Sequence, residues 1–275
     1  MKKIFNLRDG RQLEVGGKTL IMGVVNVTPD SFSDGGKYFS AEAAIAHAKQ
    51  LVTEGADIID IGAESTRPGA TPISADEEFA RLEKIFPAIK NLGVPISIDT
   101  YKPEVAAQIL TLGADIINDV YGLEDSRMID VARKFSAPFI AMHSEKCSNG
   151  EIIADVKKFF RITSAICEAH GLDTTQVIFD PGIGFGKTHE EDWEILRRLD
   201  ELKTLDGRKL PLMIGVSRKS VIGWAMGGLP VDKRDEATGA LCVRAIMQGV
   251  NILRVHNVKL ISPMCLMIDK LLKET

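Results

Sequence analysis

Short apolar runs alternate with stretches of helical spacing along almost the whole chain. The apolar runs fall at 20–27, 57–61, 95–99, 115–119, 138–143, 177–180, 212–217 and 251–256. Each is four to eight residues long and rich in Ile, Val and Leu, as expected of strands covered on both faces. Between them the spacing predicts helices. After Ser40, a candidate cap, Ala44, Ile45, Ala48, Leu51 and Val52 recur with helical period, and Gly55 ends the segment. Further helices are predicted near 75–91, from Pro103, near 126–134, 151–169, 189–203 and 234–248, and from about 258. Residues 4–15 alternate instead around Asp9-Gly10, a hairpin signal.

Eight strands alternating with helices imply a parallel sheet, and eight such units close into an α/β (β/α)8 TIM barrel. Two stacked doubly wound sheets are the alternative, but no linker, charge block or low-complexity tract divides the chain. The expected organisation is a short N-terminal β-hairpin over 1–18 and a single barrel domain over 19–275.

The pattern acquires chemistry at its strand ends. Asn26, Glu64, Asp99, Asn118, Met142-His143, Asp180, Lys219 and Arg254 with His256 lie at or just beyond the carboxyl ends of predicted strands. In a barrel those ends share one mouth, where active sites of this architecture form. Any single one could be a capping residue. So many together point to a site. Asp99, Asn118, Asp180 and Lys219 offer acceptors, an amide and a cation, a set suited to a planar heterocycle with amino and ring N–H donors. Arg254, His256, Asn26, Thr66 and Arg67 resemble an anion site, with arginine forks for phosphate oxygens.

The stretch Asp180-Pro181-Gly182-Ile183-Gly184-Phe185-Gly186-Lys187-Thr188 closes a strand with a carboxylate and opens a glycine-rich loop. Pro181 stands where a P-loop needs its first glycine, and the alternating glycines do not fit Gly-x-Gly-x-x-Gly, so neither nucleotide motif is present. A tight strand-to-helix turn with a solvated lysine accounts for the stretch equally well when it is taken alone.

Composition narrows the class. Of 275 residues, 45% are hydrophobic and 26% charged, ordinary for a globular protein, and the net charge of −4 disfavours nucleic acid and anionic membranes as partners. The four cysteines, Cys147, Cys167, Cys242 and Cys265, show no metal-type spacing, so reduced thiols and a cytoplasmic location are expected. No stretch reads as a secretory signal or membrane span.

Five segments, in order and spanning from about residue 19 to the C-terminus, carry a family resemblance: Asn26-Val27-Thr28-Pro29-Asp30-Ser31-Phe32-Ser33-Asp34-Gly35-Gly36, Glu64-Ser65-Thr66-Arg67-Pro68-Gly69, Asp180 to Lys187, Ser217-Arg218-Lys219-Ser220 and Arg254-Val255-His256. Together they resemble dihydropteroate synthases. That resemblance implies a Mg²⁺-assisted transferase joining 4-aminobenzoate to 6-hydroxymethyl-7,8-dihydropterin diphosphate, with release of pyrophosphate. It implies pterin binding by Asp99, Asn118, Met142, Asp180 and Lys219, and diphosphate binding by Asn26, Thr66, Arg67, Arg254 and His256. Asn26 would also hold the metal. Phe32, Thr66, Pro68 and Ser220 would form the 4-aminobenzoate pocket, with Asp99, Lys219, Arg254 and His256 as the catalytic groups. It further implies a homodimer, sulfonamides as inhibitors, and loops 27–39 and 63–72 closing over the site. A pterin-binding methyltransferase resembles the same barrel, but it has no need of a pyrophosphate grip at 217–220 and 254–256.

Overall fold

A computed structural model describes residues 2–27, 41–65, 70–148 and 150–272. Ser40, the candidate cap, lies outside them. The chain opens with β1 (Lys3–Asn6) and β2 (Gln12–Val15), an antiparallel hairpin, followed by β3 (Leu20–Asn26). Then come α1 (Ala41–Thr53), β4 (Ile58–Gly62), α2 (Ala75–Ile89), β5 (Ile96–Asp99), α3 (Pro103–Leu112), β6 (Ile116–Asp119), α4 (Arg127–Phe135), β7 (Phe139–Met142) and α5 (Ile152–Ala169). The last third contains β8 (Val177–Asp180), α6 (His189–Arg197), α7 (Leu199–Leu202), β9 (Thr204–Leu205), β10 (Arg208–Lys209), β11 (Met213–Ile214), α8 (Ser220–Ala225), α9 (Asp235–Met247), β12 (Ile252–Val255) and α10 (Val258–Leu272).

Eight strands form one parallel sheet in the order β11-β12-β3-β4-β5-β6-β7-β8. A further parallel bridge, Phe179 to Leu212, joins its two edges, and the Phe179 N–H donates to Pro211 O at 3.0 Å. The barrel is therefore closed, as the alternation predicts. Closure leaves no sheet edge exposed, and with helices on the outer face and a packed interior every residue of β4, β6, β7 and β8 is buried.

Local signals start and stop the helices. Ser74 accepts from the Glu77 N–H ahead of α2, and Thr188 with Glu191 makes a full capping box on α6. Pro103 opens α3, and Gly113 ends it at φ +118°, a left-handed conformation that a side chain would strain.

Two apolar layers hold the barrel. The larger lies between strands and helices. The smaller fills the barrel's amino-terminal end, where Phe5, Leu7, Leu13 and Val15 of the hairpin pack on Met22, Ile58, Ile116, Ile140, Ile178, Met213 and Ile252. Burial of such side chains stabilises by about 1.5–3 kcal/mol each, so the hairpin is a plug rather than a loose arm. Arg11 fastens it, donating to Asp115 Oδ1 at 2.8 Å while Asp115 Oδ2 accepts from the Ile96 N–H at 2.9 Å.

Three segments differ from the sequence expectation. The helix expected over 189–203 breaks at Arg198, whose φ of −121° lets both Leu199 and Leu202 turn into the core. The strand expected over 212–217 shortens to Met213–Ile214, because the chain then leaves β12 to form the turn that presents Lys219. A small hairpin, β9–β10, turns at Asp206-Gly207 with φ +48° and +80°. Its Asp-Gly pair is the same signal that marked residues 9–10.

Candidate active site

The strand register gathers the polar ends. Asp99 pairs with Asn118 across β5–β6, and Met142 with Asp180 across β7–β8. Arg254 projects from β12, next to β3. Asp99, Asn118, Met142, Asp180, Lys219, Arg254 and His256 all line one cleft enclosing about 460 Å³ of space open to solvent. Seven of the residues expected at the mouth are thus brought together at the carboxyl ends of the strands.

The floor of the cleft is an ion array. Arg254 donates through Nε to Asp60 Oδ2 at 2.7 Å and through Nη2 to Asp99 Oδ2 at 2.5 Å. Asp60 is fully buried, and its Oδ2 also accepts from Asn118 Nδ2 at 3.2 Å. Burial pushes the Asp99 carboxyl up to about 7, and Arg254 pulls against that shift. Burial likewise raises Asp180 to about 6, opposed by the Gly182 N–H that donates to its Oδ1 at 2.7 Å. Asp99 Oδ1 and Asn118 Oδ1 are buried without a hydrogen-bond partner among the described residues. Each costs about 1–3 kcal/mol left so, and a ligand bringing N–H donors would recover that cost.

Lys219 stands on the opposite wall. Its Nζ lies 3.9 Å from the centroid of the Phe185 ring, and burial, followed by the nearby Arg254, lowers it to about 8. Arg218, just before it, is held at φ +59°, a conformation that costs a non-glycine residue about 1–3 kcal/mol. Asp235 secures it by two bonds, from Arg218 Nε at 2.6 Å and Nη2 at 2.8 Å. Arg234 Nη1 donates to the Arg218 carbonyl at 3.0 Å. The strained turn is what swings Lys219 into the cleft. Ser217 accepts from the His256 N–H at 3.2 Å, and its Oγ lies 3.0 Å from His256 Nδ1, so the two segments are joined at the rim.

Other expected residues take different places. Asn26 is half-buried at the end of β3. Ser220 is exposed at the start of α8, with its Oγ 3.2 Å from His189 Nε2, and does not line the cleft. His143 points into the core instead of the mouth: it is 2% exposed, packs edge-on to Phe159, and is pushed down to about 4 by burial. Glu64 is tied to Lys102 and to the Tyr101 hydroxyl at 2.9 Å, and Lys102 also reaches Glu78 at 2.6 Å. Phe32, Thr66, Arg67 and Pro68 lie outside the described residues.

Sequence-profile comparison matches residues 22–256 to the family described as "Pterin binding enzyme". A dihydropteroate synthase from Bacillus subtilis is 43% identical over 260 residues, covering 94% of this chain and 90% of the relative. This chain belongs to the dihydropteroate synthase family. Among solved structures, the dihydropteroate synthase of Xanthomonas albilineans with 4-aminobenzoic acid superposes with a TM-score of 0.92 at 34% identity, over the whole of both chains. The dihydropteroate synthase of Thermus thermophilus in complex with 6HMPPP gives 0.85 at 37% identity, covering 98% of this chain and 100% of the other.

For a dihydropteroate synthase, a transferase, sequence reasoning overlooked three residues that the cleft uses. Asp60 sits mid-strand in an apolar run, where a lone carboxylate signals a buried ion pair. Phe185 and Ser217 were visible only as parts of motifs. Their contacts with Lys219 and His256 arise from turns, not from spacing.

Proposed function

We propose that this protein condenses 4-aminobenzoate with 6-hydroxymethyl-7,8-dihydropterin diphosphate to give 7,8-dihydropteroate and pyrophosphate. The observation carrying this reading is the Asp60–Arg254–Asp99 array on one side of a cleft whose other side presents Asp180 and Lys219. A pterin brings amino and ring N–H donors to Asp99, Asn118 and Asp180, beside Met142. The diphosphate lies outward, toward Asn26, His256 and the cationic face of Arg254, and the family resemblance adds Thr66 and Arg67 to that grip. For 4-aminobenzoate the family resemblance alone supports a pocket of Phe32, Thr66, Pro68 and Ser220, the first three of which lie outside the described residues.

The methylene C–O bond breaks first, in a dissociative course. Negative charge then grows on the departing oxygens, stabilised by Arg254 and His256, while Asp99 and Asp180 stabilise the cationic pterin methylene. The arylamine nitrogen forms the new C–N bond and sheds its proton to water.

The donor set fits Mg²⁺ of one kind. Among the described residues no group of three or more His, Cys, Asp or Glu could cage a metal. Asn26 offers one hard amide oxygen, and such an ion takes its remaining ligands from phosphate and water. When bound it neutralises charge on the leaving group.

Two further attributes complete the proposal. A homodimer through α9 and α10 would cover Met247, Leu266, Met267 and Leu271, each more than half exposed, and sedimentation should give twice the chain mass. Cys167, Cys242 and Cys265 are buried as free thiols, which accords with a reducing cytoplasm.

The test is pyrophosphate release from the pterin diphosphate with Mg²⁺, with and without 4-aminobenzoate. Release accompanied by dihydropteroate when the amine is present is the expected result. Binding with no release in either condition would overturn the assignment.

A further inference from the structure

Lys187 belongs to the glycine-rich loop between β8 and α6, yet it neither lines the cleft nor forms an ion pair among the described residues. Its Nζ donates to three backbone carbonyls: His143 at 2.8 Å, Gly182 at 3.0 Å and Phe185 at 2.9 Å. An ammonium has three N–H groups, so its donors are fully used. One acceptor lies just past the end of β7 and two within the loop itself. Lys187 is thus a clamp across two strand ends and not the solvated lysine that one reading of the stretch allowed.

The loop needs such a clamp. Gly182, Gly184 and Gly186 all have positive φ, at +69°, +77° and +65°, and glycine gives the backbone no preference of its own for that path. The path is nonetheless tightly constrained. A Cβ on Gly182 would stand 1.9 Å from His143 O, and one on Gly184 would stand 3.1 Å from Lys219 Cδ. The loop is thus pressed between the end of β7 and the stem of Lys219, and it sets the Phe185 ring over the Lys219 ammonium at 3.9 Å.

We propose that Lys187 is a positioning residue for this reaction: by gripping the carbonyls of Gly182 and Phe185, it fixes Phe185 against Lys219. The inference rests on the synthase reading given above. Its energetic signature differs from that of a structural lysine, because it must act through Phe185.

The experiment is a double-mutant cycle on the full chain, measuring kcat and KM for both substrates together with the denaturation midpoint. Lys187→Met should lower kcat/KM by about 100-fold, the scale expected of a catalytic group displaced by about 1 Å. Phe185→Leu alone should lower it by a similar factor, because it removes the ring that Lys187 positions. Lys187→Met combined with Phe185→Leu should be no worse than Lys187→Met, since the ring is already misplaced. Losses that multiply would overturn the proposal, as would a Lys187→Met protein that melts earlier but turns over normally. If Lys187→Met does not fold, Lys187→Gln, which keeps two N–H donors, takes its place in the same cycle with the same two outcomes. The unsubstituted protein separates the failures: no turnover there refutes the synthase reading, whereas turnover there with additive variants refutes the role of Lys187.

Discussion

Replacing Asp60 with leucine removes the carboxylate that Arg254 Nε holds at 2.7 Å, at a site where Asp60 is fully buried and the Arg254 side chain only 19% exposed. Removing one partner of a buried pair costs about 3–5 kcal/mol, because the other charge stays behind. Asp99 still faces Arg254 at 2.5 Å, so the lower end, about 3 kcal/mol, applies. The Asn118 amide loses its acceptor as well, adding about 1 kcal/mol. The sum of about 4 kcal/mol is a large part of the 5–15 kcal/mol typical of a folded chain. Urea denaturation near neutral pH should show it as a lower midpoint with an unchanged slope. Asp60→Leu combined with Arg254→Met should recover much of that loss, since removing a whole buried pair is often nearly neutral and Asp99 can then take up a proton. Neither protein should turn over. A cost for Asp60→Leu below about 1 kcal/mol, or a double variant as unstable as the two single losses summed, would refute the view that Asp60 holds Arg254 in place.

Asp180→Asn probes the raised carboxyl. Because the folded state keeps the Asp180 proton up to about 6, this carboxyl should by itself cost at most roughly 3 kcal/mol of stability as pH rises from about 4 to about 6, beside the loss that Asp99 contributes over the same range. The variant still accepts from the Gly182 N–H but should lack that fall, melting later than wild type above pH 6 while binding pterin more weakly; an unchanged pH profile would contradict the assignment. Arg254→Ala should weaken free pterin as well as the diphosphate in calorimetry, because Arg254 neutralises the Asp99 carboxylate in addition to its proposed contact with the leaving group. Loss with the diphosphate alone would remove it from the pterin floor. Sulfonamides should compete with 4-aminobenzoate, raising its apparent KM at constant kcat, and a purely non-competitive pattern would place them elsewhere.

Much of this protein was legible along the chain. Strands buried on both faces read as unbroken apolar runs, so β3, β4 and β6 were located within a residue or two, and eight of them imply closure. The polar strand ends marked the mouth because a buried run rarely finishes on a carboxylate or an amide without cause. What spacing could not reveal were relations set by side-chain direction and by turns. His143 and Met142 are neighbours, yet one faces the core and the other the cleft, since successive residues leave a strand on opposite sides. Asp60 drew no notice in β4, and only the fold brings Arg254, 194 residues away, against it. Lys187 could not be told from a surface charge along the chain, because its acceptors are backbone carbonyls, which no pattern of residue types records.

The sequence alone thus determined the architecture and the inventory of chemical groups, because period and polarity are local properties of the chain. Only the tertiary structure decided how those groups are paired. A charge inside a closed barrel must be neutralised by whatever the fold places within about 3 Å, and that distance depends on register, twist and turn conformation together.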